Sequence, residues 1–226
     1  MKRLILAASA GILLSITPQL SAKPAPCSEG PSESLATQLL QQAPGLKAEV
    51  LRMALRATGC AAEQGLVKRR NLLTVIDYSL PSSQPRLFVF DLSAKKILFR
   101  ELVAHGKNSG GNVASFFSNS PGSLATSLGL FVTAEPYVGS NGYSLRLKGL
   151  EAGVNDRAMD RAIVMHGAPY VSRAAVRALG RLGRSWGCPA VRKEVARKMI
   201  DTLRGGSPIF AYYPDQNWLQ QSSFVR

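Results

Sequence analysis

From about Val67 onward the chain breaks into short runs rich in β-branched and aromatic residues, separated by Pro, Ser, Gly and Asn. "LLTVIDYSL", "RLFVFDL", "LGLFVTAEPY", "YSLRLKGL", "RAIVMHGA" and "PIFAYY" are each bounded by such breakers, so they read as strands of a β-rich body over residues 67–213. "RLFVFDLSAKKILFRELVAHG" predicts a hairpin turning near Ser93 to Lys95, with its second strand running towards His105. Residues 106–123, "GKNSGGNVASFFSNSPGS", are too rich in Gly, Ser and Asn for a regular element and read as a long loop, a kind that is often functional. One helical pattern interrupts the strands. After Pro189, the residues Val191, Val195, Met199 and Leu203 recur every four positions, and Gly205-Gly206 supplies a stop. The fold class expected is α+β, mainly β.

Ahead of this body stand two helical patterns. Ser34 to Gln42 is stopped by Pro44, and the second runs from Leu46 to Ala57 with Val50, Leu51, Ala54 and Leu55 on one face and Gly59 as its end. Residues 23–33, "KPAPCSEGPSE", read as a linker. Before them, Lys2 and Arg3, the apolar run Leu4 to Ile16 and the polar "TPQLSA" have the order of a cleavable secretory signal ending at Ala22. That run falls short of the about 20 residues a spanning helix needs, and no later segment reads as transmembrane. Export implies an oxidising compartment, where Cys27 and Cys60 are most simply a disulfide. Closing that loop would contribute roughly 3–4 kcal/mol in the chain-entropy model. The division expected is a signal over 1–22, a linker and helical segment over 23–66, and a single β-rich domain over 67–226.

Lys and Arg number 28 against 14 Asp and Glu, a net charge of +14. The excess favours anionic partners. Zinc-finger spacing, an RNA-binding aromatic motif and long Lys/Arg runs are all missing, so nucleic acid is not expected, and for an exported chain the anionic candidates are cell wall and envelope surfaces.

Chemistry has few residues to draw on. The two histidines, His105 and His166, are each followed by glycine at a strand end, and Cys188 is the one cysteine left over. Ligand spacing for zinc and a C-x-x-C pair are both lacking, so no metal or organic cofactor is implied. A cysteine nucleophile with a histidine partner remains. A thiol near pKa 8.5 needs a base or positive surroundings to become a thiolate. If the helix starts at Pro189, Cys188 stands at its cap, where the dipole favours the thiolate, with Arg184, Arg192 and Lys193 adding charge. Pro189 has no N–H, so an oxyanion hole must use the amides of Trp186, Gly187 or Cys188. From the residues alone, Cys188 reads equally well as a small buried side chain, and His166 and His105 as core histidines satisfied by backbone.

"VMHGAPYV" followed by "GRSWGCPAV" resembles the His-Gly and Ser-x-Gly-Cys signature of the YkuD-type murein L,D-transpeptidases. "VAHGKNSG", "FSNSPGSLATSLGLF" and "YVGSNGYSLRLKGLEAGVNDRA" extend the likeness over about residues 67–213. The resemblance implies a YkuD-like β-rich domain in which Cys188 attacks the amide between the third, L-configured centre of a peptidoglycan stem and D-alanine. D-Alanine leaves, a thioester remains, and an amine of another stem completes a 3-3 cross-link, with His166 as base in both steps. Ser185 and Gly187 match flanking positions of the signature and are assigned, with Trp186, to the oxyanion hole and positioning. The more common form has histidine where this chain has Trp186, which leaves the acceptor side open.

The segment between His166 and Cys188, "APYVSRAAVRALGRLGR", is expected as a basic loop over the site, with Arg184 as a substrate contact for stem carboxylates. His105, in the matching "AHGKNSG", is assigned to pocket structure or substrate contact. A backbone carbonyl, Asn155 or Asp156 is expected to orient His166. Two other readings use the same residues: an L,D-carboxypeptidase or cross-link hydrolase, in which water resolves the thioester, and a peptidoglycan-binding envelope protein with an inert Cys188. A papain-type or NlpC-type peptidase fits less well, because those place cysteine before histidine and here His166 precedes Cys188.

Overall fold

The computed structural model describes residues 33–225. The expected signal, the linker and Cys27 lie outside the described residues. Cys60 is disulfide-bonded, whereas Cys188 is free.

The two N-terminal helices form as expected, as α1 (Glu33–Leu40) and α2 (Ala48–Glu63). Val50, Leu51, Ala54 and Leu55 are buried together and, with Ala36 and Leu39, join the cluster that holds the sheet's core. Gly59 does not end α2. The apolar face continues through Cys60, Ala61 and Ala62, and its burial outweighs the about 1 kcal/mol that a mid-helix glycine costs.

The described residues hold nine strands: β1 (Leu72–Asp77), β2 (Leu87–Asp91), β3 (Lys96–Glu101), β4 (Val103–Ala104), β5 (Gly129–Gly139), β6 (Gly142–Gly149), β7 (Val164–Ala168), β8 (Ala190–Arg192) and β9 (Pro208–Tyr212). They form one sheet in the order β3-β2-β1-β9-β5-β6-β7-β8-β4. The pairs β1–β9 and β7–β8 are parallel. Leu73, Phe88 and Phe210 are fully buried on the central strands, each contributing about 1.5–3 kcal/mol.

The predicted β2–β3 hairpin is present, with Lys95 in its turn at φ 53, but its second strand does not run on to His105. It stops at Glu101, and two residues later the chain belongs to β4, which pairs with β8 at the opposite edge of the sheet. The two edges are therefore joined through Leu102, and the sheet curls towards a barrel. Burial explains the switch. Along β3 exposed and half-buried residues alternate, whereas Val103 and Ala104 are wholly buried.

Two further expectations are corrected. The helix after the signature begins at Lys193, not Pro189, because Ala190 and Val191 are drawn into β8 beside His166 and Gly167. This helix, α4 (Lys193–Leu203), has Arg192 at its N-cap and buries Ala196, Met199, Ile200 and Leu203. The segment expected as a loop contains α3 (Arg173–Leu179), which Ser172 caps by accepting a bond from the Ala175 amide (3.0 Å) and Gly180 ends in the left-handed conformation. A short α5 (Gln216–Gln221) closes the chain.

Candidate active site

His166 is the third residue of β7 and pairs with Ala190 on β8, two residues after Cys188. The parallel pairing brings together two residues that are distant in sequence. Both side chains line a cleft of about 430 Å³, with Tyr137, Ser140 and Asn141 of the β5–β6 hairpin on one side and Tyr170, Arg184, Ser185 and Trp186 on another. Arg161 and Ala162 complete it, so no carboxylate lines the cleft.

His166 is 3% exposed. Its Nδ1 lies 3.2 Å from the Gly167 carbonyl. Because a carbonyl only accepts, Nδ1 carries the proton and Nε2 keeps its lone pair. Burial pulls the imidazole pKa below its ordinary value, and the Gly167 carbonyl partly offsets this, so the ring is a neutral base at neutral pH. The orienting group is thus a backbone carbonyl. Asn155 is engaged elsewhere, with the carbonyls of Leu128 (2.8 Å) and Leu130 (3.1 Å), and Asp156 accepts from Asn119 and the Gly153 amide.

Cys188 is 8% exposed. Its Sγ accepts a bond from the Val164 amide (3.4 Å) and lies 3.7 Å from the Ala162 carbonyl. Burial raises the thiol pKa, while the Val164 amide and the charge of Arg161 act against that rise. No helix dipole acts here, because α4 begins five residues later. Arg192 adds no free charge either: it forms a bidentate pair with Glu101 (2.8 and 2.7 Å).

The tripeptide before the cysteine is tightly fixed. Ser185 Oγ donates to the Cys188 carbonyl (2.6 Å) and accepts from the Gly187 amide (3.1 Å). Gly187 has φ 121, and a Cβ there would meet the Ala125 carbonyl oxygen at 2.8 Å, so glycine is required. The Gly187 amide is thus engaged, which leaves the amides of Trp186 and Cys188 of the three expected as candidate oxyanion donors. Trp186 itself is 76% exposed at the cleft's rim.

His105 is completely buried and is not among the residues lining the cleft. Arg86 Nη2 lies 2.6 Å from its Nδ1 and the Gly110 carbonyl 3.3 Å from its Nε2. A guanidinium only donates, so Nδ1 accepts and Nε2–H donates. Burial, helped by Arg86 and Arg184, pushes its pKa down to about 3. Its backbone meets the signature directly: the His105 carbonyl accepts the Ser185 amide (3.1 Å). Arg184 is also committed to structure, donating to the carbonyls of Gly110, Gly111, Leu182 and Gly183. Burial lowers its pKa to about 10.

A family model described as the L,D-transpeptidase catalytic domain matches residues 42–212. The chain belongs to that family. No curated protein matches it. Among solved structures it is similar to an L,D-transpeptidase from Mycobacterium smegmatis (16% identity, 63% of this chain and 59% of that one, TM-score 0.39). Mycobacterium tuberculosis L,D-transpeptidase 1 gives 16%, 63%, 62% and 0.36, and the helical cell shape determining protein Pgp2 from Campylobacter jejuni 12%, 64%, 48% and 0.41. The chain thus spans about half to three-fifths of these relatives, and likeness at this level adds nothing to the family match.

Within this L,D-transpeptidase domain, sequence reasoning missed Arg161. It was legible only as the first letter of "RAIVMHGA", and it stands in the turn that leads into β7, the strand that carries His166. Its guanidinium holds the Ser118 and Ala125 carbonyls (2.7 and 2.6 Å) and the hydroxyls of Ser127 and Ser123 (2.6 and 3.1 Å). Among the described residues no group of three or more His, Cys, Asp and Glu could hold a metal, and no described helix is long and apolar enough to cross a membrane.

Proposed function

We propose that this chain is an exported peptidoglycan L,D-transpeptidase in which Cys188 is the nucleophile and His166 the base. The observation that carries the reading is the meeting of His166, with Nε2 free, and the only unpaired thiol of the described residues in one cleft. Nε2 takes the thiol proton as Sγ attacks the carbonyl carbon of the amide joining the third stem residue to D-alanine. The oxyanion forms against the amides of Trp186 and Cys188, and His166 returns the proton to the departing D-alanine nitrogen. The thioester is then attacked by an amine of a second stem, which His166 deprotonates, and the thiolate is released.

A cleft with two arginines and no carboxylate suits a substrate that carries carboxylates, and the net charge of +14 suits the anionic wall around it. In this reading residues 1–22 are the signal, residues 23–66 brace the domain through α1 and α2 with Cys27 bonded to Cys60, and residues 67–226 carry the chemistry in the periplasm or cell envelope.

Incubating the mature protein with a disaccharide-tetrapeptide tests this by mass spectrometry. The expected outcome is an acyl adduct on Cys188 and a cross-linked dimer, both absent in Cys188→Ala, which should keep its fold. Tripeptide without dimer would make the protein a carboxypeptidase. Absence of adduct and product, with a thiol inert to alkylation, would make Cys188 structural.

A further inference from the structure

Arg161 lies within the cleft but is not free to grip a substrate. Both terminal nitrogens of its guanidinium are committed to four oxygens of the 118–127 loop. All four are neutral: two are carbonyls and two are serine hydroxyls. The bonds fix the guanidinium in place without cancelling its charge.

Its place is against the nucleophile's own turn. A Cβ on Gly187 would stand 3.3 Å from Arg161 Nη2. The Ala125 carbonyl that Arg161 holds is the atom that same Cβ would strike first. Thr126, the next residue of the loop, donates through Oγ1 to the Gly187 carbonyl (3.1 Å). Beyond Arg161, Ala162 supplies the carbonyl that faces Sγ.

We propose that Arg161 is the positioning residue that sets the ionisation of Cys188, placing a fixed, unneutralised positive charge beside the Gly187–Cys188 turn while it pins the 118–127 loop there. The role deepens the transpeptidase reading and rests on it for its purpose, but it concerns a property of the thiol that is measurable without substrate.

Other groups around the thiol do not substitute for it. His166 on β7 is neutral at neutral pH, and Tyr170 after β7 and Tyr78 after β1 are phenols whose pKa values burial raises. Arg184 directs its guanidinium at the Gly110–Gly111 and Leu182–Gly183 carbonyls. The mutual influence between Arg161 and Cys188, each favouring the other's charged form, agrees with this placement.

The test is the pH dependence of Cys188 alkylation by iodoacetamide in the folded mature protein, read by peptide mass spectrometry. An opposite charge at close range lowers a pKa by about 1–3 units. Arg161→Gln is therefore expected to raise the alkylation midpoint by about one pH unit or more, about tenfold less thiolate at neutral pH. Arg161→Lys keeps the charge and is expected to hold the midpoint within about half a unit. The double variant Ser123→Ala/Ser127→Ala removes two of the loop bonds and leaves the charge, so its midpoint should stay at the wild-type value.

An unchanged midpoint in folded Arg161→Gln overturns the proposal, as does an equal rise in the serine double variant, which would make the loop and not the charge the cause. If Arg161→Gln does not fold, Arg161→Lys decides: a wild-type midpoint supports the proposal and a full-unit rise overturns it. None of these outcomes depends on the protein acting on peptidoglycan. Loss of the transpeptidase reading would instead appear as absence of an acyl adduct on a thiol whose midpoint still follows Arg161.

Discussion

The two histidines have the same neighbour in sequence, a glycine, yet the fold places one in the middle of β7 and the other just past the end of β4, in unlike surroundings. His105 is enclosed: Arg86 occupies one ring nitrogen, the Gly110 carbonyl the other, and no part of the residue is exposed. His166 lines the cleft with one nitrogen held by the Gly167 carbonyl, and the other is the base in the proposed reaction. The enclosing group, Arg86, is itself wholly buried and donates to the carbonyls of Val103 (3.1 and 2.9 Å) and Leu80 (2.8 Å). Its guanidinium carbon stands 5.1 Å from the centre of the Tyr78 ring. One histidine thus belongs to a buried polar network that shapes the Ser185 side of the site, and the other to the site's surface. What separates them is the number of ring nitrogens the surroundings consume.

The sharpest break of this comparison is substitution of each ring in turn. His166→Asn is expected to lower acyl-enzyme formation about 10²–10⁴-fold, the usual range for a general base, with thermal stability near the wild-type value. His105→Asn should do the reverse, losing stability first. Stopped-flow acylation alongside a thermal melt reads both quantities. Equal rate losses in two folded variants would remove the distinction between the histidines.

Next in size is Arg86→Met. Removing the guanidinium leaves the Val103 and Leu80 carbonyls and His105 Nδ1 unsatisfied inside the protein, at about 1–3 kcal/mol for each group. The variant is expected to be destabilised by about 3 kcal/mol or more, seen as a lower urea midpoint. A midpoint within error of wild type would mean that the network is dispensable and that burial alone fixes His105.

Much of this architecture was legible in the sequence because strands and helices follow local patterns. The runs from "LLTVIDYSL" to "PIFAYY" became β1, β2, β5, β6, β7 and β9, and the family followed from "VMHGAPYV" and "GRSWGCPAV". The failures came where long-range pairing overrides a local signal. Val191 fits a helical repeat, but a place between β7 and β4 draws it into a strand. That shift alone removes the helix cap that would have activated Cys188. Val103 and Ala104 continue a hairpin in sequence, yet they close the far edge of the sheet. Arg184 and Arg161 look alike as letters. Which of them bears on the thiol depends on loops that return from residues 110–127, and no local spacing encodes that return.

The effect that is smallest near neutral pH concerns acid, and it follows from the enclosure of His105. Unfolded, the ring takes a proton near its ordinary pKa of about 6.5; folded, burial and Arg86 hold that pKa near 3. Below pH 6.5 the unfolded chain therefore binds a proton that the native protein refuses, and stability falls as pH drops, by at most about 1.4 kcal/mol per pH unit from this residue. The contribution is fully present above pH 6.5 and is lost progressively towards pH 3. Asp77 and Glu151, buried carboxylates with raised pKa values, titrate with the opposite sign and flatten the total, so the measurement has to be a difference. Urea titrations of wild type and His105→Asn between pH 7 and 4 should show the gap between them narrowing as pH falls, because only wild type carries the histidine term. A gap that stays constant would mean that His105 is protonated within the fold, and its nitrogens would then not be consumed as the comparison with His166 requires.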